Sequence, residues 1–136
     1  MAGKAEARLI YSSISSSLRI ADLGVSGALL FTWLITHCDA QGRMLGDPRI
    51  IKQIVIPFIK EIEDSDIPGM LNSMGKAKLI IQYQDKKGRS LIQVADWWDY
   101  QDKLMYRGES RYDPPQGWEN RLTERGGNGR FVKRED

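Results

Sequence analysis

Two side chains with nucleophile and base chemistry stand next to each other in this sequence, His37 and Cys38 in "ITHCDA". A thiolate activated by an imidazole would be a group-transfer nucleophile. The spacing argues against that use. Val25 to Cys38 reads as one helix, and adjacent residues on a helix point in different directions, so this pair makes no dyad. His37 fits the helix end, where an imidazole meets unpaired carbonyls. Cys38 falls on the apolar stripe as a small buried hydrophobe. One His and one Cys in the whole chain cannot build a structural zinc site. The "GGNG" of Gly126 to Gly129 lacks the preceding strand and following helix of a phosphate loop, and reads as a flexible linker. The expectation is a protein that is not an enzyme, with no catalytic residue, metal or cofactor.

Binding chemistry has better candidates. Lys86, Lys87 and Arg89 cluster in "QDKKGRS", and long cations on a loop tip reach phosphates or a minor groove. Arg43, Arg49 and Lys52 form a second basic group, with Gln53 near them. The later cations Arg121, Arg125, Arg130, Lys133 and Arg134 alternate with acids, as a solvated linker does. Against nucleic acid stands "EIEDSD", Glu61 to Asp66, whose four carboxylates would face a phosphate wall. Acids also suit the N-terminus of a helix through its dipole. Net charge is +2, distributed as +3 over residues 1–60, −3 over 61–102 and +2 over 103–136. Any attraction to phosphate must therefore come from local patches.

These residues are carried by a legible series of elements. With 136 residues, 41% hydrophobic and 28% charged, one globular domain is expected. Arg8 to Tyr11 reads as a strand or extended arm, and Ser12 to Ser17 as a loop or irregular turn. In the Val25–Cys38 helix, Ala28, Phe31, Ile35 and Cys38 form one stripe with Leu30 and Leu34 beside it. So much apolar circumference marks a nearly buried central helix. "DAQGRM" is a turn, with Gly42 free to take a positive φ. Asp47-Pro48 opens a second helix and Pro57 stops it. A third begins near Asp64 or Ser65, carries Ile67, Met70, Leu71 and Met74 inward, and ends near Gly75. "LIIQYQ" and "SLIQVA" flank the Asp85–Gly88 loop as a β-hairpin. The order predicts an α+β fold, a winged helix-turn-helix: a three-helix core whose open wall is closed by a hairpin wing. Residues 1–107 make up that domain and 108–136, rich in Pro, Gly and charge, an extended tail.

In "QVADWWDYQDK", Trp97 and Trp98 end the last strand. Side chains alternate there, so one ring faces the core, with Tyr100 and Trp118 near it, and the other faces out. Asp96, Asp99 and Asp102 would repel phosphate, which makes the outward ring a candidate partner-binding anchor rather than a base platform.

The sequence resembles the winged-helix module at the N-terminus of phage and prophage replication-initiation (replisome-organiser) proteins. Three stretches carry the resemblance: "ALLFTWLITHCDAQGRMLGDPRIIKQIVIP", "DIPGMLNSMGKAKLIIQYQDKKGRSLIQVADWWDYQ" and "SRYDPPQGWENR". They span roughly residues 8–121, each degenerate, with the specificity in their order. The resemblance implies DNA binding in replication, in the cytoplasm of a bacterium or phage-infected host. A helicase or helicase loader is the implied protein partner. Self-association on the same scaffold is the alternative. The lone Cys38 and the lack of an apolar leader or membrane span agree with a reducing, intracellular setting.

Overall fold

The computed structural model describes residues 7–101, 109–125 and 131–133. Asp102, Gly126 to Gly129, Arg130 and Arg134 lie outside the described residues. The fold is α+β, with short helices packed on one face of a three-stranded antiparallel sheet. An arm from Ala7 to Tyr11 leads through a 3-10 turn, Ser12–Ser16, to the short α1, Leu18–Ala21. The Ser17 hydroxyl accepts from the Ile20 N–H and caps α1.

The central helix α2 runs Gly24–Thr36. Leu30, Phe31, Leu34 and Ile35 point into the core, and Cys38 follows just beyond the helix. Its opposite side is open: Val25 is 90% exposed and Trp33 41%. The expectation of a nearly buried helix therefore holds for one side only. The apolar circumference is real, but part of its outer side, at Val25 and Trp33, is exposed.

Strand β1, Arg43–Leu45, follows a tight turn in which Asp39 Oδ1 accepts the N–H groups of Gln41 and Arg43. Gly42 takes φ +81° there, as expected, and a second constraint fixes it as glycine. A Cβ at that position would sit 2.6 Å from the Trp97 indole. Helix α3, Pro48–Ile54, has Asp47 as its cap, accepting from the Arg49 N–H at 2.9 Å, with Pro48 in the first turn.

Helix α4, Ile67–Lys76, is entered through a 3-10 turn, Asp64–Asp66. The turn carries a capping box with Glu63 as its N-cap, rather than Asp64 or Ser65, and the Asp66 carboxylate accepts from the Glu63 N–H at 2.9 Å. Ile67, Leu71 and Met74 are buried as their spacing requires. The helix ends at Lys76, next to Gly75 as expected. Leu79 N–H donates to Met74 O and Lys78 N–H to Gly75 O, which is a Schellman closure with Lys78 at φ +60° in the place usually taken by glycine. The Arg19 guanidinium donates to the Ala77 and Lys78 carbonyls and to Asp96, holding this corner.

Strands β2, Ile80–Gln84, and β3, Ser90–Val94, form the expected hairpin, and β1 adds to the far side of β3. The register pairs Met44 with Ile92 and Ile80 with Val94, and these side chains join the helices in one core. The other face carries Arg43, Gln93 and Ile81 in one row and Leu45, Leu91 and Tyr83 in the next. Strand β3 is buried on both faces from Leu91 to Val94. Its outer cover is residues 109–122, which lie across the sheet as a strap. Beyond it β4, Thr123–Arg125, pairs antiparallel with β5, Phe131–Lys133. The segment expected to be an extended tail from residue 108 is thus, over its first part, a packed outer layer.

The tryptophan pair sits on a helical turn, α5, Trp97–Tyr100, and not at a strand end. Trp97 is 2% exposed, and its indole Nε1–H donates to Ala40 O at 3.0 Å. Trp98 is half-buried, with the Arg121 guanidinium 5.5 Å from its ring centroid. Tyr100 faces outward and meets Tyr11 of the arm edge-on. Among the described residues no helix is long and apolar enough to cross a membrane.

Candidate nucleic-acid interface

The β2–β3 turn is organised by one carboxylate. Asp85 accepts from the Lys87 and Arg89 N–H groups at 2.9 and 2.8 Å and from Arg89 Nε at 2.7 Å. Burial alone would push this carboxyl up. The Arg89 N–H and guanidinium and the Lys87 N–H outweigh it and hold the pKa below the usual value. Gly88 closes the turn at φ +80°. The Arg89 side chain also lies over the Tyr112 ring at 5.5 Å, so this cation serves the turn and the strap. Lys86 and Lys87 remain: both are exposed, and among the described residues neither ammonium has an ion-pair partner.

The second basic group does not assemble. Arg43, expected on the surface, is 1% exposed. Its side chain points off the outer face of β1 into the strap, where Nε donates to Gln93 Oε1 at 2.7 Å and Nη1 to Tyr112 O and to Asn120 Oδ1. Burial draws its pKa down, while Tyr83, Asp39 and Asp113 act to hold it up. Lys52 is turned into the loop after α3, donating to the carbonyls of Ile59 and Ile62. Only Arg49 stays on the surface, 3.8 Å from Asp47. Arg49 and Arg89 line one groove with Asp47, Asp64, Ser65 and Gly88, so the cations there share it with acids.

Beside it a second groove runs between α4 and the hairpin, lined by Pro68, Asn72, Gln82, Gln84 and Ser90 among others. Gln82 Nε2 donates to Asn72 Oδ1 at 3.0 Å. The outward side of α4 carries Gly69, Asn72, Ser73 and Lys76 and no acid. The acidic residues Glu61, Glu63, Asp64 and Asp66 are exposed but confined to the approach to the helix. The amide groove escapes a search for charge, since its residues are neutral. Its one sequence signal is the polar side of "LIIQYQ".

Trp97 is buried and offers no surface to a partner, while Trp98 is half-buried. Trp97 is sealed against Gly42, and Trp98 packs beside Arg121 and against the core. The strap that covers the sheet was not legible as a structural layer. Gln41 forms a two-way clasp with Arg121, Nε2 donating to its carbonyl at 2.8 Å and Oε1 accepting its N–H at 2.9 Å. Ser110 donates to Asp39, and Tyr83 Oη donates to Asp113 O at 2.6 Å. Burial, more than its charged neighbours, pushes the Tyr83 phenol up to about 12, so it stays a donor at ordinary pH.

His37 is exposed at the end of α2, while Cys38 is buried and donates to Leu34 O. Burial drives the Cys38 thiol far up and keeps it protonated. The two side chains thus occupy different environments, although α2 ends at Thr36 and not at Cys38 as expected. Among the described residues no group of three or more His, Cys, Asp or Glu is placed to hold a metal ion. No family model, no curated protein and no solved structure matches this chain.

Proposed function

We propose that this chain is a winged helix-turn-helix module that binds duplex DNA mainly through phosphate contacts, in keeping with the replication-initiation proteins it resembles. The observation that carries the reading is the pair of exposed lysines, Lys86 and Lys87, at the tip of the β2–β3 hairpin, with no ion-pair partner among the described residues. They stand at the end of a hairpin whose flank is a groove of neutral amides, Asn72, Gln82 and Gln84. The sheet order β1-β3-β2, with α3 and α4 between β1 and β2, is the connectivity a wing requires. Asn and Gln amides are suited to base edges, and lysines to phosphates. The acids at Glu61 to Asp66 disfavour insertion by the start of α4, so the wing and the later part of α4 make the approach.

Fluorescence anisotropy with a random 20-base-pair duplex, titrated over salt, tests this. Wild type should lose affinity linearly in log salt. Lys86→Ala with Lys87→Ala should reduce the slope by about 2 and weaken binding at least tenfold. An unchanged slope refutes the wing assignment, and equal or tighter binding to single strands refutes the duplex. A second reading, a protein-interaction module with a helicase, a loader or another copy as partner, is favoured by the open apolar face of α2.

A further inference from the structure

Two exposed amides meet in the groove between α4 and the hairpin. Ile80 is buried on the helix-facing side of β2, and alternation puts Gln82 and Gln84 on that same side. By Gln82 the strand has passed the core, so this side chain is exposed and reaches α4 at its rim. There Gln82 Nε2 donates to Asn72 Oδ1 at 3.0 Å, and Asn72 is exposed as well. No charged side chain lines this groove. One turn before Asn72 on the same side of α4 stands Gly69, and the space where its Cβ would lie is open. A flat group can therefore come close to the amides.

The hydrogen-bond count of Gln82 defines what it can recognise. An amide has one acceptor oxygen and two N–H donors. One N–H is spent on Asn72. Oε1 and the other N–H remain, side by side on one planar group. Asn72 Oδ1 also sets which end is which, because it attracts Nε2 and repels Oε1. A donor beside an acceptor is the complement of adenine, whose major-groove edge shows the N6 amino group next to N7. Guanine shows two acceptors, O6 and N7, and would set its oxygen against Oε1. Pro68, exposed in the same groove, gives the thymine methyl of the pair an apolar surface.

We infer that Gln82 reads an adenine in the major groove of duplex DNA and that Asn72 is its positioning residue. The inference rests on the DNA-binding reading above and adds a base preference to it. Lys86 and Lys87 supply attraction to phosphate without regard to sequence, and the amide supplies preference without charge. The two contributions therefore separate in experiment. A bidentate amide contact discriminates against the wrong base by roughly 5- to 100-fold.

Selection by the full chain from randomised duplexes of about 20 base pairs, followed by sequencing, tests it. The duplexes retained by wild type should be enriched in adenine at one aligned position. Gln82→Ala should abolish that enrichment and keep the salt slope of wild type, which also shows that the variant is folded. Gln82→Glu can only accept, and should turn the preference to cytosine through its N4 amino group. Asn72→Ala should weaken the preference several-fold. Lys86→Ala with Lys87→Ala should weaken binding to every sequence and keep the preference. A wild type that binds no duplex overturns the inference together with the DNA-binding reading. A wild type that binds with a lysine-dependent salt slope but enriches no base overturns the inference alone. So does an adenine preference that persists in Gln82→Ala or is unaltered in Asn72→Ala.

Discussion

Replacing Arg43 by Met separates the two roles open to this cation. The change keeps an unbranched side chain of similar length and removes the guanidinium. If Arg43 were a surface contact to phosphate, the fold would be indifferent and only DNA affinity would fall. The structure gives the opposite expectation. The guanidinium is buried and donates to Gln93 Oε1, Tyr112 O and Asn120 Oδ1. Hydrogen bonds to a charged group contribute about 1.5–3 kcal/mol each, and a buried acceptor left unpaired costs about 1–3 kcal/mol. Relief from desolving the charge offsets part of this, and the loosened strap readmits water to the acceptors. A net loss of about 3–4 kcal/mol is the result, a large share of the 5–15 kcal/mol of an ordinary domain. Urea denaturation should show the midpoint falling in proportion. Native-state hydrogen exchange should show the amides of Tyr112 and Arg121 losing protection before those of α2. An unchanged midpoint together with unchanged exchange at these amides would refute the reasoning and return Arg43 to the surface.

Other outcomes follow from the same contacts. Gly42→Ala must adopt φ near +81° and push a methyl into the Trp97 indole, so it should cost about 2–4 kcal/mol by thermal or urea unfolding. Lys52→Met removes the donor to the Ile59 and Ile62 carbonyls; it should lower stability by about 1–3 kcal/mol while leaving the salt slope of DNA binding unchanged, as a slope measurement would reveal. Tyr83 has its folded pKa raised to about 12, above an unfolded value near 10, so its contribution is fully present below the unfolded value and is lost as pH rises through about 12. Phenolate absorbance should show one late-titrating tyrosine that disappears in Tyr83→Phe.

The elements that were legible are those set by local chemistry. Asp47-Pro48 starts a helix because an acceptor and a missing N–H fit its first turn, wherever the rest of the chain lies. Ile67, Leu71 and Met74 share a side for the same kind of reason. What could not be read depends on contacts far apart in sequence. Arg43 reaches Asn120 and Gln41 clasps Arg121, and neither pairing leaves a periodic trace. Even β3, buried on both faces after Ser90, carries the polar Gln93, which hides its outer cover from a reading of the sequence. The end of α4 near Gly75 was legible, but the left-handed position of its closure fell to Lys78 rather than to a glycine, at a cost of about 1–2 kcal/mol. For the candidate interface, Lys86 and Lys87 were visible as charge on a turn. Arg43 and Lys52 looked equivalent to them, since the sequence does not state which way a cation points.

The strap has a practical corollary for anyone trimming this protein. Cutting at residue 107, where composition changes and a domain border looks natural, would strip the sheet of its second skin. Arg43 would lose its acceptors on Tyr112 and Asn120, and Gln41 its clasp on Arg121. Such a piece should precipitate or cling to itself through the bared strands. A self-standing unit has to carry the chain through Leu122.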